Sequence, residues 1–190
     1  MSNQPARVAV VILNWNGKKF LEQFLPDVIR CSQPLGRVVI ADNASTDDSL
    51  NWVRSHHPEV EIIALPDNTG YTGGYNASLK QVQAEFYVLL NSDVEVTPGW
   101  LEPLVALADR HPTLGAAQPR IRAFNDRTHF EYAGAAGGFI DHLGYPFCRG
   151  RIFQSLERDE EQYADELPVF WATGACMFVR SKVFHQVGGL

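Results

Sequence analysis

The chain has 190 residues, 45% of them hydrophobic and 20% charged, which suits one globular domain with a sizeable core. Its formal net charge of -6, with no Lys/Arg run interleaved with aromatics, argues against a surface that wraps nucleic acid, and an anionic ligand would need local neutralisation. The apolar run Val8 to Leu13 is too short to span a membrane, and nothing before it has the arrangement of a signal peptide, so the expected location is cytoplasmic.

Arg7 to Leu13 is apolar on both faces and ends on Asn14-Trp15-Asn16-Gly17, as a buried parallel strand would. Phe20, Leu21, Phe24, Leu25, Val28 and Ile29 then recur at the spacing of one helical face, with Pro26 expected to kink or restart the helix. Arg37 to Ala41 is a second strand, and "DNASTDDS" from Asp42 supplies caps and first-turn acids for a helix reaching His56. Val60 to Leu65 is a third strand. Pro66 to Tyr75 reads as a loop in which Gly70, Gly73 and Gly74 allow close backbone approach, followed by a helix from Asn76 to Ala84. Phe86 to Leu90 is a fourth strand, and Pro98 opens a helix to Arg110. Gly115 to Arg122 forms a further strand candidate, Ala123 to Pro168 is read as irregular, Val169 to Val179 returns to strand composition, and Ser181 starts a helix that Gly188-Gly189 ends.

Repeated strand–helix alternation implies an α/β fold with a mostly parallel sheet, helices on both faces and right-handed crossovers. Ligands in such sheets bind beyond the carboxyl ends of the strands, where Asn14-Trp15-Asn16, Asp42-Asn43 and Asn91-Ser92-Asp93 all fall. Neither GxGxxG nor GxxxxGK[ST] occurs, which excludes two common phosphate cradles. GxSxG is also absent. Trp15 can stack on a base, Asp42 can accept from a base N–H, and Asp93 is a hard oxygen ligand for Mg²⁺ or Mn²⁺ holding a diphosphate. On residue type alone Asp42 reads as a helix cap and Trp15 as a core position before either reads as a ligand contact, and Asp93 suits a turn as readily as a metal. Cys31, Cys148 and Cys176 lie far apart without a CxxC pair and read as free, buried thiols. His129, Glu131, Asp141 and His142 are candidates to line an acceptor pocket.

Five blocks, "VVILNWNG" (Val10 to Gly17), "VVIADNASTDDS" (Val38 to Ser49), "DNTGYTGGYNASL" (Asp67 to Leu79), "LLNSDVEV" (Leu89 to Val96) and "WATGACMFVRSKVFHQVGG" (Trp171 to Gly189), resemble the family 2 glycosyltransferases, in particular their rhamnosyltransferase-like branch. The resemblance implies the GT-A fold, a nucleoside-diphosphate-sugar donor and a glycan or lipid-linked acceptor in surface polysaccharide synthesis. It divides a single domain into a nucleotide-sugar-binding half, 1–110, and an acceptor-side half, 111–190. By position, Leu13 and Trp15 would flank the base and Asp42 bind it, Gly70, Gly74 and Asn76 would belong to the loop near the donor, and Asn91-Ser92-Asp93 occupies the DxD place, with Asp93 the metal ligand. The resemblance also implies inverting transfer by a general base in an acidic motif just beyond the position of Gly188-Gly189. The sequence is therefore expected to be truncated and to lack that base, with Glu131 or Asp141 as the substitutes at hand. It further implies work at the inner membrane face through peripheral association. The alternatives are a non-catalytic nucleotide-binding module and a sugar-1-phosphate nucleotidyltransferase, whose Gly-rich opening "NWNGKK" does not match.

Overall fold

The computed structural model describes residues 6–190, and within them one six-stranded sheet organises the chain. Its members are β1 (Val8–Asn14), β2 (Gly36–Asp42), β3 (Glu61–Ala64), β4 (Phe86–Asn91), β5 (Ala116–Ala117) and β10 (Cys176–Arg180), in the spatial order β3-β2-β1-β4-β10-β5. The first four are parallel, while β10 runs antiparallel to both β4 and β5. Among the described residues four helices lie between the strands, α1 (Lys18–Ser32), α2 (Ser49–His56), α3 (Gly70–Leu79) and α4 (Leu101–Arg110), and α5 (Ser181–Gln186) follows β10.

The alternation of side chains along the strands divides the core into two layers. Val8, Val10 and Ile12 of β1 join Val38, Ile40, Phe86, Val88 and Leu90 beneath α1, α2 and α4. Ala9 and Val11 join Val39, Ala41, Tyr87 and Leu89 beneath α3 and α5. The strand order explains this division: β1, β2 and β3 progress toward one edge, then the chain recrosses the sheet to place β4 on the far side of β1. A right-handed crossover in the reversed direction must cover the opposite face, so α3 lies there. The reversal makes the gap between β1 and β4 a topological switch point, where α/β sheets open a crevice for ligands.

Several elements depart from the sequence expectation. Helix α1 continues through Pro26, because that residue lies on the exposed side, where the carbonyl it leaves unbonded faces water. Phe20 is also exposed instead of packing in the core. Helix α3 starts at Gly70 and ends at Leu79, not Asn76 to Ala84, so most of the expected glycine loop is helical. Poor helix propensity is overridden by burial: Tyr75 is fully enclosed, its hydroxyl donating to the Leu90 carbonyl at 3.1 Å, and burial holds its pKa well above the ordinary tyrosine value. The strand expected from Gly115 to Arg122 shrinks to β5, and that from Val169 to Val179 to β10, because Trp171 and Thr173 pair outside the sheet with Gly138 and Gln118.

The segment expected to be irregular contains two hairpins, β6 (Gly138–Ile140) with β7 (Pro146–Cys148) and β8 (Arg151–Ile152) with β9 (Ser155–Leu156). They adjoin a small cluster of Phe130, Ala135, Ala136 and the ring of Tyr163. The three cysteines are free and buried. The Asp159 carboxylate, itself buried, binds Arg120 at 3.0 Å and Arg122 at 2.6 Å, and accepts the Glu161 N–H. Burial pushes the Asp159 pKa up, but the Arg122 hydrogen bond, the Glu161 amide and the two guanidinium charges outweigh it, so the net shift is downward. A depressed carboxylate contributes stability above its unfolded pKa and loses it as pH falls through the folded value. Asp159→Asn is therefore expected to cost on the order of 1–2 kcal/mol at neutral pH, since the arginines are partly solvated. Urea unfolding at pH 7 and in acid checks this; the difference should vanish as pH drops through the carboxylate range.

Candidate active site

The carboxyl edge of the sheet is held by a knot of short polar side chains between the β1–α1 and β2–α2 loops. Sheet register sets Asn14 beside Asp42. The Asn14 amide is fully buried, and its Nδ2 group donates to Asp42 Oδ1 at 2.8 Å and to the Ser45 and Ser49 hydroxyl oxygens at 3.0 Å each. Asp42 Oδ2 accepts the Ser45 N–H at 2.9 Å, which closes the turn on itself. Asn16, in the left-handed region with φ 52°, reaches across to accept the backbone N–H groups of Thr46 at 2.7 Å and Asp47 at 3.1 Å, while its own N–H donates to Ser45 Oγ. Asp47 returns the contact by accepting the Lys18 N–H at 3.1 Å and the Ser49 hydroxyl. Burial raises the Asp47 pKa, but these hydrogen bonds from Ser49 and Lys18 outweigh it and the net shift is downward.

Trp15 sits between the two asparagines of this knot, yet its indole is 59% exposed. An anchored backbone carrying a solvated tryptophan is a rigid platform on which a flat ring can stack. One strand away, Leu13 pairs in register with Asn91, so Ser92 and Asp93 leave β4 at the same level. A Cβ on Gly17 would lie 2.5 Å from Asn14 Oδ1 and 3.6 Å from Ser92 Oγ, which shows how closely the first turn of α1 overlies the β4 loop. Asp93 is exposed, and its carboxylate accepts no hydrogen bond from any described residue. Among the described residues no group of three His, Cys, Asp or Glu side chains could hold a metal alone. One hard carboxylate beside the Ser92 hydroxyl fits Mg²⁺ or Mn²⁺ only when a diphosphate and water complete the shell.

Helix α3 forms the third wall. Asn43 donates from Nδ2 to Asn68 Oδ1 at 2.8 Å and to the Gly70 carbonyl at 3.0 Å, and accepts the Thr69 N–H, so it fastens the start of α3 to the end of β2. A Cβ on Gly74 would lie 2.7 Å from the Leu13 side chain, hence the glycine. The Tyr71 hydroxyl donates to the Gly174 carbonyl at 2.7 Å, and burial pushes its pKa up to about 12, so it remains a donor at neutral pH. Asn76 is turned elsewhere: its amide accepts the Leu190 N–H at 2.9 Å and donates to the Leu190 carbonyl at 3.2 Å, and a Cβ on Gly189 would overlap it.

The fold thus brings Leu13, Trp15, Asp42, Gly70, Gly74, Asn91, Ser92 and Asp93 to one edge, while the Asn76 side chain engages the backbone of Leu190. Asp42 is only 2% exposed and holds the loop through both oxygens, so direct contact with a base requires the Ser45 turn to shift. Glu131 and Asp141 are both occupied as turn caps, Glu131 accepting the Ala133 N–H and Asp141 those of Leu143 and Tyr145. The sequence placed Asn14, Asn16 and Asn43 at the strand ends that line the cleft but assigned them no role of their own, although three asparagines there, beside Ser and Asp, were the available signal.

A family model for glycosyl transferase family 2 matches residues 9–188. The chain belongs to that family. The N-acetylglucosaminyl-diphospho-decaprenol L-rhamnosyltransferase of Mycobacterium tuberculosis is 29% identical over 198 residues, covering 95% of this chain and 63% of the relative. The O-antigen biosynthesis protein RfbC of Myxococcus xanthus is 35% identical over 160 residues, covering 80% of this chain and 12% of the relative. A mannosyltransferase from Pyrobaculum calidifontis, solved with GDP-Man and Mn²⁺, superposes with TM-score 0.64 at 18% identity, covering 98% of this chain and 48% of that one. Staphylococcus aureus TarS superposes with TM-score 0.62 at 19% identity, covering 95% and 49%. These likenesses show the GT-A architecture, and the chain spans less than two thirds of the length of each of these proteins.

The knot and the platform separate cleanly in energetic terms. Asn14→Ala strips a donor from three buried or half-buried acceptors and is expected to lower stability by about 1–3 kcal/mol in urea titration. Trp15→Ala, at an exposed site, should change stability by less than about 0.5 kcal/mol. Equal losses for the two would show that Trp15 is a packing residue.

Proposed function

We infer that this family 2 glycosyl transferase chain binds the nucleoside diphosphate of an activated sugar in the crevice between β1 and β4, with the base on Trp15 and the diphosphate beside Asp93. The carrying observation is the register that sets Leu13 level with Asn91, so an exposed indole and an unpartnered carboxylate leave adjacent strands at the switch point. The relatives' names support a hexosyl or deoxyhexosyl donor and a glycan or lipid-linked acceptor in surface polysaccharide synthesis. Family membership favours this over the nucleotidyltransferase alternative.

In this reading residues 1–110 hold the donor and 111–190 contribute to the acceptor side. Asn14, Asn16 and Asp42 keep the platform rigid, so little conformational entropy is lost when the base stacks. Asp93, with Ser92 and Asn91 beside it, would hold Mg²⁺ or Mn²⁺; when bound, the cation would offset diphosphate charge and act as a Lewis acid toward the leaving oxygen. Transfer with inversion needs a carboxylate to take the acceptor's proton. Glu131 and Asp141 already accept backbone N–H groups, which leaves neither poised for that role.

Calorimetry with GDP, UDP and dTDP, with and without Mn²⁺, tests the site. At least one diphosphate should bind with metal-enhanced affinity; Asp93→Ala should abolish the enhancement, and Trp15→Ala should weaken binding about tenfold or more through lost stacking. Glu102→Ala on α4 serves as the surface control. Unchanged binding in Asp93→Ala would remove that residue from the site.

A further inference from the structure

Of the fifteen large apolar side chains exposed among the described residues, ten lie between Phe124 and Phe170. The densest group occupies the two adjoining hairpins: Leu143, Tyr145 and Phe147 in β6–β7, and Ile152 and Phe153 in β8–β9. Phe153 is the telling residue. It is 88% exposed and stands with φ 50° at the first position of a two-residue turn, where Asn or Gly is favoured and a bulky side chain is strained. A strained, solvated phenylalanine adds nothing to the fold, so any return must come from something outside it.

Charge indicates what that is. Residues 138–156 hold two arginines and one acid in a chain of net charge -6. Arg149 and Arg151 pair with no carboxylate among the described residues, whereas most arginines elsewhere in the chain do. Arg151 instead lies 4.1 Å over the Tyr132 ring. The single acid, Asp141, is tied to turn amides. Of the acids that follow, Glu157 accepts from Tyr163, Asp159 is clamped by Arg120 and Arg122, and Glu166 is paired with Arg110; Glu160, Glu161 and Asp165 lie on the next loop. Arg149 is turned inward, its Nε donating to the Ala136 carbonyl at 2.8 Å, so Arg151 is the cation beside these apolar and aromatic tips, a combination that matches the headgroup–acyl boundary of an anionic bilayer.

We propose that these hairpins form a membrane-docking edge, with Phe153 and Leu143 inserting between lipids and Arg151 meeting their phosphates. The segment leaves the sheet after β5 and returns at β10, so it is rooted on the carboxyl edge that carries the crevice. Docking there stands independently of the donor-binding reading.

The test sediments the 190-residue chain with phosphatidylcholine vesicles, with and without phosphatidylglycerol. The chain is expected to sediment preferentially with the anionic vesicles. Phe153→Gln combined with Leu143→Ser should weaken partitioning at least about tenfold, with the melting temperature unchanged because both sites are exposed. Arg151→Gln should reduce the preference for phosphatidylglycerol and its salt sensitivity. In Phe153→Trp, emission should shift to the blue on vesicles and be quenched by brominated acyl chains. The proposal is overturned if the chain remains in the supernatant with both vesicles, or if the double variant sediments like the parent. A concentration-dependent dimer in gel filtration, abolished by the double variant, would equally overturn it by giving the patch to a second copy.

Discussion

The buried amide of Asn14 is the contact on which the rest of the crevice depends. Its Nδ2 group must face the Asp42 carboxylate, and this orientation fixes Ser45 and Ser49 as well, so one side chain sets the start of both the β1–α1 and β2–α2 connections. Low exposure makes those bonds strong and their loss costly. Trp15, one residue further on, can then remain solvated without being floppy, which is what a recognition surface requires.

The second constraint is topological. Because the chain reverses direction after β3, β1 and β4 become neighbours; α1 and α4, which follow them, lie over one face of the sheet, and α3 lies over the other. A crevice opens where helices cannot cover both sides. The glycines of α3 close its third wall: Gly74 lets the helix settle on Leu13, and Tyr71 and Asn76 tie it to Gly174 and Leu190 on the other half of the chain. Through α3, therefore, the crevice and the segment around Gly174 and Leu190 share one support.

The carboxylates divide by environment rather than by sequence motif. Asp42, Asp47, Glu131, Asp141 and Asp159 all accept hydrogen bonds that shape loops, whereas Asp93 is exposed and accepts none from the described residues. This contrast suits metal-assisted handling of a diphosphate, since a ligand already engaged in a turn would have to break it first.

The sequence by itself determined the strand-and-helix alternation, the two-faced burial of β1, β2 and β4, and the placement of Trp15, Asp42 and Asp93 after strand ends. Period and composition carry that information locally. Only the tertiary structure decided that Gly70–Leu79 is helical, since Tyr75 and Gly74 are favourable there solely because Leu90 and Leu13 lie against them. It also decided that Asp42 serves the loop and Asn76 the backbone of Leu190, 114 residues away. Both outcomes rest on contacts between distant segments, and residue type in a local window does not encode which distant group a polar side chain will meet.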